Sequence, residues 1–199
     1  MPIFGITGGV ATGKSTFGRL LLSQLPAGFF DSDQCARNLL ETNGEVLQRV
    51  VEEFGESIRT PDGLDRKKLG SIVFGSAEKR RVLEKILHPE IRSQWLSMAG
   101  VARSTNEWLI VDLPLLFETG SEHFLDRVIV VGSRKPTQLR RLIHDRKVDS
   151  ILAEKMIAAQ MDLDMKISKC NHLIWNDGSL AALEEQTVLL AGLLKRHHG

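Results

Sequence analysis

Tyrosine is absent from the 199 residues, cysteine occurs twice, proline six times, and aromatic side chains make up only 6%. No functional reading attaches to the missing tyrosine. Cys35 and Cys170 stand far apart, without the close spacing of a zinc site, so both are expected as reduced thiols rather than a disulfide. No apolar run approaches membrane-spanning length, and the chain opens directly into a strand-like segment, so neither a span nor a secretory leader is expected. Charge of one sign is also lacking. The 26 Lys+Arg against 25 Asp+Glu leave a net charge of +1, which argues against a surface dominated by nucleic-acid binding. The expectation is a cytoplasmic protein with one well-buried core and no nucleic-acid or membrane partner. The sequence assigns no oligomeric state.

What is present is concentrated near the start. Gly8-Gly9-Val10-Ala11-Thr12-Gly13-Lys14-Ser15 satisfies the G-x-x-x-x-G-K-[ST] phosphate-loop pattern. It follows the apolar segment Ile3–Thr7 and precedes Ser15–Leu22, which reads as a helix. Between strand and helix the pattern has a mechanical meaning: glycines let backbone N–H groups converge on phosphate oxygens, and the helix N-terminus adds a positive dipole. Lys14 reaches the β- and γ-phosphates and the Ser15 hydroxyl ligates Mg²⁺. The sequence therefore places ATP on Gly8, Gly9, Ala11, Thr12, Gly13, Lys14, Ser15 and Thr16.

Short apolar strand candidates recur between helical stretches: Ile3–Thr7, Gly28–Asp31, Trp108–Asp112, Arg127–Val131 and His172–Trp175. Such alternation indicates a parallel sheet covered on both faces. Between the second and third candidates, Glu45–Phe54, Arg66–Phe74 and Ala77–Ala102 carry apolar residues at helical spacing, with Pro89 expected to bend or break the last. This is a helical insertion, placed where a kinase holds its acceptor. A second helical stretch, Pro136–Lys169, carries Gln138, Arg140, Arg141, His144, Arg146 and Lys147. It reads either as a cationic lid over ATP or as a solvated helix face. Ser179–Leu194 closes the chain as a helix, with His197 and His198 read as a disordered end rather than as ligands.

Two acids end strand candidates. In an open parallel sheet, ligands gather outside the carboxyl ends of the strands. Asp33, after Phe29-Phe30-Asp31-Ser32, is thus placed to orient or deprotonate an acceptor hydroxyl, unless it or Asp31 only caps the next helix. Asp112 ends Trp108-Leu109-Ile110-Val111 and is a candidate Mg²⁺ holder through water.

With these segments assembled, the chain resembles the dephospho-coenzyme A kinase family nearly end to end. Gly5–Gly9 leading into Gly13–Thr16 is similar to the family's opening motif, and Asp31-Ser32-Asp33 with Arg37 to its Asp-x-Asp segment. Phe54-Gly55, Asp62–Arg66 with Leu69, Leu83-Glu84 and His88-Pro89 resemble elements of its helical insertion. Asp112-Leu113-Pro114-Leu115-Leu116-Phe117-Glu118 resembles its most recognisable internal motif, and Gln138-x-x-Arg141, Ala159–Met161 and Asn176-Asp177-Gly178 match later ones.

The resemblance implies a fold and a reaction. The fold is α/β: a phosphate-loop NTPase core with a five-stranded parallel sheet (residues 1–33, 105–135 and 170–199), a helical substrate-binding domain (34–104) and a helical lid (136–169). The reaction is ATP-dependent phosphorylation of the ribose 3′-hydroxyl of dephospho-coenzyme A, with Mg²⁺ accompanying ATP. It assigns Asp33, Lys14 and Arg141 to catalysis. It adds Arg141 and Asn176 to the ATP site, and puts Asp33, Arg37, Arg66, His88 and Leu115 at the acceptor. The residues alone leave alternatives open: Arg37 and Arg66 paired with Asp33 or Asp65, His88-Pro89 acting as a helix breaker, Glu118 supporting the site or capping. A kinase for another nucleotide or small metabolite, or a nucleotide switch, would share the phosphate loop.

One position departs from the resembled pattern. The family usually carries a second lid arginine four residues after the first, but here Asp145 stands there and Arg146 follows. On a continuous helix of ~100° per residue this turns the guanidinium about 100° from the face of Arg141. Either the helix has ended by then, or Arg140 takes part of the lid's charge.

Overall fold

The computed structural model describes residues 1–60 and 63–198; the side chains of Phe74 and His198, and Asp62 of the insertion motif, lie outside the described residues. The chain forms two compact units, Met1–Phe30 with Met98–Gly199, and Asp31–Ser97. Residues 136–169 cluster with the first.

In the first unit, β1 (Ile3–Gly8) leads through the glycine-rich loop into α1 (Lys14–Gln24) and β2 (Ala27–Asp31). After the second unit come β5 (Trp108–Asp112) and β6 (Arg127–Gly132), then a helical excursion back to β7 (His172–Trp175) and α9 (Leu180–His198). These five strands form one parallel sheet in the order β2-β5-β1-β6-β7, with β1 central. β1 pairs with β5 on one side (Ile6 opposite Asp112) and β6 on the other (Gly8 opposite Val131). Every residue of β1 and β5 is buried, as their uninterrupted apolar runs require when helices cover both faces. The core joins Phe4, Ile6, Phe17, Leu21, Ile110, Ile129 and Val131 of strands and α1 to Leu183, Leu190 and Leu194 of α9. Phe17 is fully buried there, so truncating it to alanine would cost about 3–5 kcal/mol.

The helical excursion is α6 (Lys135–Arg140), a single π-helical turn Arg141–Asp145, α7 (Ser150–Ala158) and α8 (Leu163–Lys169). Asp149 and Asp162 cap α7 and α8 with their carboxylates, worth about 1 kcal/mol each. Leu142 and Ala153 pack with Ala11 of the glycine-rich loop, a small apolar seat separate from the main core.

In the second unit, α2 (Ser32–Thr42) and α3 (Gly44–Phe54) are capped by Asp31 and Asn43. Two short antiparallel strands the sequence did not signal, β3 (Arg59–Thr60) and β4 (Gly63–Leu64), precede α4 (Arg66–Gly75), which Asp65 caps. α5 (Ala77–Thr105) runs through Pro89 as one helix. The expected break is absent: Ile86, Leu87, Ile91 and Trp95 are buried on either side of the proline, and that burial outweighs one missing backbone bond. α9 likewise continues past Leu194 to His198 instead of fraying. No helix among the described residues is long and apolar enough to cross a membrane.

His88 lies partly buried on α5. Burial lowers its pKa below the ordinary value, with Arg92 adding to this and Glu84 opposing it. The folded state therefore prefers the neutral ring. As pH falls through the unfolded value of about 6.5, the unfolded chain takes up the proton first and stability declines. Replacing the ring in His88→Gln should shrink the loss of urea midpoint between pH 7.5 and 5.5. An equal loss in both proteins would contradict it.

Candidate active site

The glycine-rich loop is held open by what grips its carbonyls. Thr12 donates its hydroxyl to Gly9 O at 2.9 Å; Asn176 donates Nδ2–H to Thr12 O at 2.8 Å. The Arg141 guanidinium donates to Ala11 O at 3.2 Å and to Asn176 O at 2.8 Å. Lys166 Nζ lies 3.5 Å from Gly8 O. Gly13 O accepts the first bonds of α1, from Thr16 and Phe17. Carbonyls held in this way leave the opposite ends of the peptide units for an anion, the arrangement by which a loop at a helix N-terminus binds phosphate. Gly13, the α1 cap, has φ +94 and brings no capping side chain. Ala11 also takes a positive φ, 57.

Lys14 forms an ion pair with Asp112, a residue only 4% exposed at the end of β5. Ser15 lies exposed one residue further along α1. The turn after Asp112 is fixed to the base of the loop: Leu113 N–H donates to Ile6 O at 2.9 Å and the Thr7 hydroxyl to Pro114 O at 3.1 Å.

Beside the loop lies a cleft of about 300 Å³ bounded by Ala11, Gly13 and Thr16, by Arg141, Asp145 and Arg146, and by Asn176, Gly178, Leu180 and Leu183. Of the two alternatives for Arg146, the structure matches the first: the α-helix has ended before it. α6 ends at Arg140, and in the π-turn that follows the Arg146 N–H bonds Arg141 O at 3.1 Å. That wider turn spans five residues, not four, so Arg146 closes it on the side of Arg141 and both line the cleft. Burial, then Arg140, lowers the Arg141 pKa, with Asp177 and Asp145 opposing. Gln138 is buried, donating to Ser133 O at 3.0 Å.

Asp33 is exposed in the first turn of α2, capped by Asp31 rather than acting as the cap, and Arg37 is exposed one turn later. Arg66 pairs with Glu41, not Asp65, whose carboxylate caps α4. Leu115 is partly buried in the turn after β5.

One residue beside the loop escaped the sequence. Lys166, fully buried on α8, contacts Glu118 at 2.9 Å and Pro114 O at 2.9 Å. Burial lowers its pKa first, Glu118 opposes this through hydrogen bond and charge, and Lys14 adds to the lowering. Glu118 also accepts Met161 N–H at 2.9 Å, so it supports the site and does not cap a helix. In the helical pattern of residues 163–169, which holds both Lys166 and Lys169, nothing local marks Lys166 out.

The family model for dephospho-CoA kinase matches residues 2–182. A dephospho-CoA kinase of Carboxydothermus hydrogenoformans is 38% identical over 192 residues, covering 96% of this chain and 93% of that protein. Among solved structures, one from Thermus thermophilus superimposes with a TM-score of 0.77 at 30% identity, covering 100% of this chain and 98% of its own. A dephospho-CoA kinase from Campylobacter jejuni gives 0.73 at 28% identity, covering 99% and 98%.

Gly13 tests the loop geometry. A Cβ there would stand 2.1 Å from Asn176 Nδ2, on a backbone of φ +94. Gly13→Ala should lose about 1–3 kcal/mol of stability and bind ATP at least about tenfold more weakly by calorimetric titration. Unchanged affinity would show that the Asn176 brace does not set the loop.

Proposed function

The chain belongs to the dephospho-CoA kinase family, and on that premise we propose that it transfers the γ-phosphoryl group of ATP to the ribose 3′-hydroxyl of dephospho-coenzyme A, releasing coenzyme A and ADP. The observation that carries this reading is the braced phosphate loop with Lys14 set against Asp112, in a chain matched by the family over nearly its full length.

Family membership implies use of ATP with Mg²⁺. The donors suit that ion. Among the described residues no three His, Cys, Asp or Glu side chains form a metal cluster, whereas Mg²⁺ takes one or two protein oxygens and fills its octahedron with phosphate and water. Ser15 would hold it directly and Asp112 through water. Bound there, the ion offsets charge on the β- and γ-oxygens.

The remaining work falls to the chain's own groups. Lys14 exchanges Asp112 for phosphate oxygens when ATP enters. Arg141 and Arg146 supply positive charge along the cleft, and the apolar edge of Ala11 and Leu180 suits the base of the nucleotide. Asp33 accepts the proton of the 3′-hydroxyl as its oxygen bonds to phosphorus and the bond to the ADP oxygen breaks. Phosphoryl transfer has a loose transition state, so orientation of that hydroxyl is the larger share of the Asp33 role. Arg37, Arg66 and His88 of residues 34–104 are acceptor-binding residues, Leu115 in the turn after β5 is another, and residues 136–169 act as the lid.

ADP formation with Mg·ATP should rise sharply with dephospho-coenzyme A and not with AMP or shikimate, with coenzyme A confirmed by mass. Asp33→Asn should lower that kcat about 10²-fold while the ATP KM changes less than about threefold. Equal turnover with another acceptor would move the substrate, and an unchanged kcat in the variant would remove Asp33 from the mechanism. Arg146→Ala should raise the ATP KM about tenfold and leave the acceptor KM alone. No rise would return Arg146 to the solvated helix face.

A further inference from the structure

Burying an ammonium is costly unless its donors are met, and an apolar pair in the same place is often at least as stable. Lys166 is 0% exposed, yet its three donors find three oxygens: Glu118 Oε1 and Pro114 O at 2.9 Å each, and Gly8 O at 3.5 Å. Two of these are carbonyls at sensitive points. Gly8 opens the phosphate loop, and Pro114 stands two residues after Asp112 in a turn that also takes the Thr7 hydroxyl. The side chain comes from α8, whose approach is fastened by Met161 N–H on the same Glu118 oxygen. An apolar residue would fill the space but turn neither carbonyl.

We propose that Lys166 is a positioning residue of the phosphoryl-transfer site: its ammonium holds the Gly8 and Pro114 carbonyls so that the Asp112 carboxylate stays in place for the Mg²⁺ that accompanies ATP once Lys14 has turned to the phosphates. This rests on reading the site as Mg·ATP-dependent. Lys166 touches neither nucleotide nor acceptor; it acts through the loop and the turn after β5. A structural ion pair alone would be replaceable by two apolar residues without functional cost, and that difference is measurable.

The test is the double variant Lys166→Met/Glu118→Leu, because Lys166→Met alone strands the Glu118 carboxylate and loses stability for that reason. Thermal melts establish that the double variant is folded, with Tm near that of the parent. Calorimetry then measures ATP affinity with and without Mg²⁺. The expected result is a drop of at least about fivefold in the strengthening that Mg²⁺ gives to ATP binding. In turnover, kcat falls with little change in acceptor KM. A wild-type Mg²⁺ effect in the folded double variant overturns the proposal. The neutral polar pair Lys166→Gln/Glu118→Gln repeats the measurement if the apolar pair does not fold, and is judged by the same ratio. Because the binding arm needs no acceptor, wild-type protein that binds Mg·ATP but shows no turnover with dephospho-coenzyme A would fail the functional reading and leave the Lys166 result standing.

Discussion

A phosphate loop works only if its backbone carbonyls face away from the anion, and this requirement organises the site. Peptide units have two ends, and directing the N–H groups inward drives the oxygens outward, where each needs a partner. The partners here are drawn from widely separated parts of the chain. Asn176 serves Thr12, Arg141 serves Ala11, Lys166 serves Gly8, and Thr12 serves Gly9 from within the loop. The central place of β1 in the sheet puts the loop within reach of donors on both sides.

The same donors solve a problem of charge. The protein as a whole is almost neutral, yet Lys14, Arg141, Arg146 and Lys166 gather around one loop. Two of the four are paired with carboxylates: Lys14 with Asp112, and Lys166 with Glu118. Charges and dipoles held in place by the fold lower the cost of arranging a site around developing charge. The π-turn belongs to this economy of position. A one-residue change in turn width lets Arg146 face the cleft beside Arg141 although the sequence places it out of helical step.

Much of this was legible in the residues. All five strand candidates appear within two residues of their expected limits, because buried parallel strands leave apolar runs that need no partner to be recognised. The phosphate loop and Asp112 were legible in the pattern of residues, and the Asn176 motif through the family resemblance. What the sequence withheld depends on contacts distant along the chain or on a small change of helical pitch. The Lys166–Glu118 pair has no local pattern, Glu41 stands far from Arg66 in sequence, and β3 and β4 are too short to leave alternation. Continuity through Pro89 is decided by packing, which overrides local preference.

The separation of the braces has a consequence for synthesis. The loop occupies residues 8–13 and is synthesised ahead of its supports, which lie 130, 158 and 164 residues further on. Neither flanking strand of β1 exists until residues 108–132 have followed. A nascent chain therefore carries the nucleotide motif long before it owns a nucleotide site, and competence arrives only when the strand ending at Trp175 delivers Asn176. The first functional words of this sequence are completed by nearly its last.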